Sequence, residues 1–170
     1  TPKMSAPLSQ SQETATTLSD EQLVIGQSIR EDPEVFVREI LGERPYAKQV
    51  EMLSAIQASR RVAVVGCNSS GKDWAAGRAI LWWQMPRYPA KTVVTGPTSR
   101  QVVDVVWNEF KGACRHSRID PGGRLYGSPR WAADEQHFAV GFSFQDTPSG
   151  SEMPTGSGLQ GYHSPNLLVV

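Results

Sequence analysis

Two kinds of apolar pattern alternate along the chain. Residues 61–65, 91–96 and 167–170 are short runs dense in valine or leucine. Residues 61–65 read as a strand buried within a parallel sheet, and the other two runs read as further strands. Residues 137–144 alternate with period two and predict a half-buried strand. Residues 124–126 and 130–132 are candidates for two short strands among Pro-Gly-Gly and Gly-Ser-Pro turns.

Helical patterns separate the strands. Ser19 with Gln22 makes a capping box for a helix through Ile29. Asp32 caps a second helix and Pro33 opens it; Val35, Phe36 and Ile40 give it an apolar face, and Gly42 ends it. Residues 50–58 place Val50, Leu53 and Ile56, with Met52, on one core face. Residues 74–85 are rich in helix formers and stop at Pro86. Thr98 and Gln101 form another capping box, ahead of Val103, Val106, Trp107 and Phe110 on one face. Strand and helix in alternation predict an α/β fold with a mostly parallel sheet flanked by helices.

Two segments carry no such pattern. Residues 1–18 are rich in Ser, Thr, Gln and Pro, too polar to offset their ordering entropy, and are expected to be a disordered tail. Residues 145–158 are a long Gly/Ser/Pro/Thr loop, expected to be mobile or functional. Residues 19–170 then form one partial domain. The chain opens on Thr1 and stops within an apparent strand, so the natural protein is expected to continue past Val170.

Composition changes this picture little. Seventeen basic residues balance seventeen acidic ones, so net charge gives no pointer to nucleic acid. Cys67 and Cys114 lack ligand spacing and read as reduced thiols of a cytosolic protein. Nothing resembles a signal peptide or a membrane span. His116, His137 and His163 show no metal spacing and are assigned structural or surface roles. Trp82 and Trp83 are expected in the core, and Arg100 at the surface.

The chemistry concentrates in Gly66, Cys67, Asn68, Ser69, Ser70, Gly71, Lys72 and Asp73, between a predicted strand and a predicted helix. This matches the phosphate-loop pattern G-x-x-x-x-G-K, with Asp73 where Ser or Thr is expected. Such a loop curls so that successive N–H groups point at one anion. Lys72 adds a point charge, and the following helix turns its positive end to the same spot. Upstream, Tyr46 and Gln49 have the chemistry to stack on an adenine and read its edge, or else mark only a solvated helix start.

Several segments in order resemble the N-terminal ATPase domain of phage terminase large subunits, motors that pack DNA into viral heads. They are residues 36–42, Pro45-Tyr46 with Gln49, the loop, Trp82-Trp83, Thr95-Gly96-Pro97-Thr98 with Gln101, Phe138-Ala139-Val140-Gly141, and Gln160-Gly161-Tyr162-His163 before an apolar strand. The resemblance covers about residues 32–170. It implies an incomplete RecA-like P-loop NTPase fold that binds ATP and Mg²⁺, with Tyr46, Gln49 and residues 66–73 at the nucleotide, Asp73 on the metal side and Gln160 near the γ-phosphate. It also implies double-stranded DNA, a portal and a small terminase subunit as partners, a homo-oligomeric ring, no membrane, and the cytoplasm of a bacterial host. In that family an Asp-Glu pair follows the last apolar strand and holds the metal and the attacking water. The pair would fall just after Val170, so residues 1–170 are expected to bind ATP weakly and hydrolyse essentially none. A superfamily 2 helicase-type ATPase and a P-loop module that binds without hydrolysing are the alternatives.

Overall fold

The computed structural model describes residues 19–143 and 162–170. The predicted tail at 1–18, the loop at 145–158 and Gln160 lie outside the described residues.

The chain begins with α1 (Asp20–Glu31), and the Ser19–Gln22 capping box is formed. The Asp32 carboxylate then accepts from the amides of Glu34 and Val35, capping α2 (Pro33–Val35). This helix runs directly into a π-helical turn, Phe36–Ile40, which buries Phe36 and Val37. α3 (Ala47–Ala58) starts three residues earlier than its apolar pattern suggests, because Gln49 caps it through the Tyr46 amide. α4 (Lys72–Gln84) follows the glycine-rich loop. A second π-helical turn, Gln101–Val106, leads into α5 (Trp107–His116).

Five strands make one mixed sheet in the order β2-β3-β4-β1-β5. β1 (Ala90–Gly96) lies between β4 (Phe138–Ser143) and β5 (Asn166–Val169), parallel to both, with Val93 opposite Val140 and Val169. β3 (Arg130–Ala132) and β2 (Arg124–Leu125) extend the far side antiparallel. The protein is therefore α/β, with helices packed on a mixed sheet in which only β3 runs against the other four strands.

Side chains alternate across a strand, so the register puts Val94, Trp131, Ala139 and Leu168 on one face. That face meets α4 and α5 in a core with Ile80, Leu81, Trp82, Trp107 and Phe110. Gln84 crosses this core, donating from Nε2 to Thr92 Oγ1 at 2.8 Å and to the Phe138 carbonyl at 2.9 Å.

The pairing of α4 with α5 is unusually close. A Cβ at Gly77 would sit 2.6 Å from the main-chain carbon of Glu109 and 2.7 Å from the amide nitrogen of Phe110. Only glycine lets the two helix backbones meet there. One residue on, the buried Arg78 holds three parts of the fold together. Its guanidinium makes a bidentate pair with Glu43 at 2.7 and 2.8 Å, and NH1 reaches the Glu109 carboxylate. The Trp74 ring lies 4.6 Å from the guanidinium carbon. Glu43 also meets His116 Nδ1 at 2.5 Å. Burial pushes the Glu43 carboxyl up, but hydrogen bonds from Arg78 and His116 outweigh it and leave the group below its usual range.

One predicted element is absent. Residues 61–65 form no strand. They show no main-chain hydrogen bond among the described residues, and Val65 is 98% exposed. Apolar, β-branched composition favours a strand only where a neighbour completes the ladder. Here β5 ends the sheet, and a cleft separates it from residues 62–64.

Candidate functional site

The glycine-rich loop is held in shape from below by α3. Gly71 adopts φ 78°, in the left-handed region, and turns the chain into α4. Behind it, a Cβ would fall 2.6 Å from Tyr46 Oη and 2.8 Å from Gln49 Nε2, so two side chains of the α3 entrance close on this glycine. Tyr46 Oη donates to the Ser70 carbonyl in a short hydrogen bond. Ser69 is also left-handed at φ 62°, and the Ser70 amide donates to the Cys67 carbonyl at 3.3 Å. Two left-handed residues in one six-residue turn expose main-chain amides on one side.

Those amides are free. Among the described residues the N–H groups of Ser69, Gly71 and Lys72 have no main-chain partner, and Ala75 N–H to Gly71 carbonyl, 3.0 Å, is the first bond of α4. The Ser70 hydroxyl is buried without a hydrogen-bond partner. Lys72 Nζ lies 3.3 Å from the Cys67 carbonyl and 3.9 Å from Asp73 Oδ2. Asp73 stands in the first turn of α4, a position where a negative group meets the positive helix end.

Sequence-predicted residues therefore come together in two groups. Lys72 and Asp73 line the cleft at the head of α4 with the exposed Cys67 beside Lys72, while Tyr46 and Gln49 close on Ser70 and Gly71. Gln49 is buried, and its Oε1 accepts the Tyr46 amide at 3.1 Å. An adenine contact through that oxygen would require this cap to open. Tyr46 is half exposed. Arg100 is exposed at the start of the second π-helical turn, and His163 is exposed ahead of β5. Among the described residues no group of three or more His, Cys, Asp or Glu is placed to hold a metal ion.

The histidines divide as expected of structural and surface residues. His137 is buried, stacks on Tyr88 at 5.4 Å and accepts the Ala90 amide on Nδ1 at 3.2 Å. Burial lowers its pKa, against the pull of Asp134. His116 is exposed beside Glu43. Cys67 is exposed, whereas burial pushes the Cys114 thiol up to about 12.

Two features were given no role from the sequence. Thr95, next to last in β1, has its hydroxyl buried and unpartnered, and its amide donates to the Val170 carbonyl at 2.8 Å. The second is a cleft of about 800 Å³ that starts at Lys72 and Asp73 and runs between β5 and residues 62–64.

No family model, curated protein or solved structure was found to match the chain. Among the described residues no helix is long and apolar enough to cross a membrane.

Proposed function

We propose that residues 66–73 bind the phosphates of a nucleoside triphosphate, and that the chain is the ATP-binding part of a DNA-translocating motor. One observation carries the first part: three unpartnered amides, at Ser69, Gly71 and Lys72, lie with an ammonium group at the head of a 13-residue helix. Amides, helix end and lysine are each suited to an anion. The buried, unsatisfied Ser70 hydroxyl fits a further acceptor or donor at the same place. Residues 66–72 would hold the phosphates, and Asp73 is the loop's carboxylate for Mg²⁺, which would neutralise phosphate charge.

The fold reading is a RecA-like P-loop domain, supported by the parallel β5-β1-β4 core and the loop–α4 junction. The motor reading rests on the terminase resemblance alone. It brings double-stranded DNA, the portal, the small terminase subunit, a subunit ring and the host cytoplasm with it. A second reading, nucleotide binding without hydrolysis, is favoured by Asp73, which sits 3.9 Å from the phosphate-seeking Lys72 ammonium.

Calorimetric titration of Mg·ATP tests the loop. Binding is expected to weaken by about tenfold or more in Lys72→Ala, since a charge-assisted contact is worth about 1.5–3 kcal/mol. Phosphate release by residues 1–170 is expected not to exceed that of the variant. Equal affinity in both proteins removes the loop from the nucleotide site.

A further inference from the structure

The sheet face turned away from α4 and α5 carries chemistry of its own. Alternation along each strand puts Lys91 and Val93 of β1, Phe138 and Val140 of β4, Arg130 of β3 and Arg124 of β2 on that face. The register sets them in two rows across the strands. One row runs Arg124, Ala132, Phe138, Lys91, and the next runs Tyr126, Arg130, Val140, Val93. Cations and rings alternate between the rows. The Tyr126 ring centre lies 5.4 Å from the Arg124 guanidinium carbon and 5.7 Å from that of Arg130. The Phe138 ring centre lies 5.5 Å from the Arg130 guanidinium carbon and 5.5 Å from Lys91 Nζ.

No carboxylate answers these cations. None of the five strands contains Asp or Glu. Among the described residues, no ion pair includes Lys91, Arg124 or Arg130. A guanidinium stacked on a ring keeps a planar fork of N–H groups that fits a carboxylate. Arg124, Tyr126 and Arg130 are all exposed.

The main chain beside them is open as well. β2 is the last strand on its side of the sheet. The Tyr126 amide donates inward to the Arg130 carbonyl at 2.9 Å. Antiparallel pairing alternates, so Leu125 turns its N–H and C=O away from β3. Leu125 is itself 40% exposed. A free donor beside a free acceptor suits another polypeptide backbone, whereas the oxygens of a phosphate chain only accept.

We propose that an extended acidic segment of a partner polypeptide adds to the β2 edge and sets its carboxylates against Arg124 and Arg130. Side chains two residues apart on a strand share a face at about 6.7 Å, which is also the spacing of the two cationic rows. Acidic residues at alternate positions therefore meet both arginines, and the apolar residues between them fall beside Leu125. The segment comes from another protein. Neither residues 1–18 nor residues 144–161 contain two acidic residues two positions apart. A second copy pairing edge to edge would bring cations against cations. The arginines thus guard the edge against strands that lack carboxylates and admit those that carry them. This inference does not depend on nucleotide binding.

The probe is a fluorescein-labelled peptide of alternating glutamate and valine, titrated into residues 1–170 by anisotropy. One-to-one saturable binding is expected, with hydrogen-exchange protection gained at the Leu125 amide. A peptide with lysine in place of glutamate should not bind. Arg124→Gln and Arg130→Gln should each weaken binding about two- to fivefold, and the double variant about tenfold, since exposed ion pairs are individually modest. Both arginines are exposed, so the parent melting temperature is expected in each variant; the lysine peptide tests the charge requirement on the unaltered protein should a variant fail to fold. The proposal is overturned by no binding, by equal binding of the lysine peptide, by unchanged binding in the folded double variant, or by protection that omits Leu125. Binding of oligothymidylate to the same arginines in preference to the peptide, or concentration-dependent dimerisation that excludes the peptide, also overturns it.

Discussion

Replacing Arg78 by methionine should destabilise the protein by about 3 kcal/mol. Methionine keeps most of the side-chain volume over Trp74, so the loss is mainly electrostatic. Removing one partner of a buried ion pair costs about 3–5 kcal/mol, because the remaining charge stays buried. The two carboxylates differ here. The Glu43 side chain is 15% exposed and keeps only His116, whereas Glu109 is 39% exposed and rehydrates. That partial relief places the expectation at the lower end of the range. With a urea slope of about 2 kcal/mol/M, the midpoint falls by about 1.5 M. The two contacts are coupled, so Arg78→Met combined with Glu43→Gln should cost less than the sum of the single variants, by about 1–3 kcal/mol. The Glu43 carboxyl has a lowered folded pKa, so its contribution is present above the unfolded value of 4.5 and is lost as pH falls through the folded value. Urea unfolding followed by tryptophan emission at pH 7 and at pH 4 measures both effects. A midpoint shift below about 0.5 M at pH 7, or strict additivity, would refute the account of Arg78 as the tie between α4, α5 and the chain before α3.

Gly71→Ala forces a Cβ into a left-handed turn already in contact with Tyr46 and Gln49; a loss above about 1–2 kcal/mol in thermal unfolding is expected, together with loss of nucleotide binding. His137 has a folded pKa lowered by burial, so it stabilises above the unfolded value of 6.5 and that stability is lost as pH falls through the folded value; His137→Gln should flatten the melting-temperature profile below pH 6.5. Asp73→Thr should bind metal-free ATP better and depend less on Mg²⁺, because a carboxylate beside phosphates repels them until a cation intervenes; parallel ATP titrations in EDTA and in excess Mg²⁺ for the two proteins would leave Asp73 as a helix cap.

Local chemistry was the most legible layer of this fold. The Ser19–Gln22 box and the Asp32 cap form, and Thr98 Oγ1 accepts the Gln101 amide without the reciprocal bond of a box, because each needs residues only a few positions apart. The strands at β1, β4 and β5 were visible in valine content and alternation. What failed depended on partners distant in sequence. Residues 61–65 have strand composition, but composition does not supply a neighbouring strand. Gln49, a candidate base contact, also caps α3 through the Tyr46 amide three residues before it. Arg78 and Glu43 lie 35 residues apart in no motif, so their pairing appears only once α4 is placed. The two π-helical turns leave the apolar spacing almost unchanged and gave no signal.

The attachment of α1 sets how this protein should respond to a protease. None of its residues is buried, and Leu23, Val24 and Ile25 are exposed. Its contacts gather at its last turn. Trp82 Nε1 donates to the Ile29 carbonyl at 3.0 Å, and Arg87 donates to the Arg30 carbonyl at 2.9 Å while lying over both Trp82 and Trp83. A chain held at one end frays from the other. Cleavage anywhere before Ile29 should shed the front of the helix and leave the tryptophan–arginine clasp closed on its stub. The trimmed product would melt as the parent does, and α1 serves the domain as a removable handle.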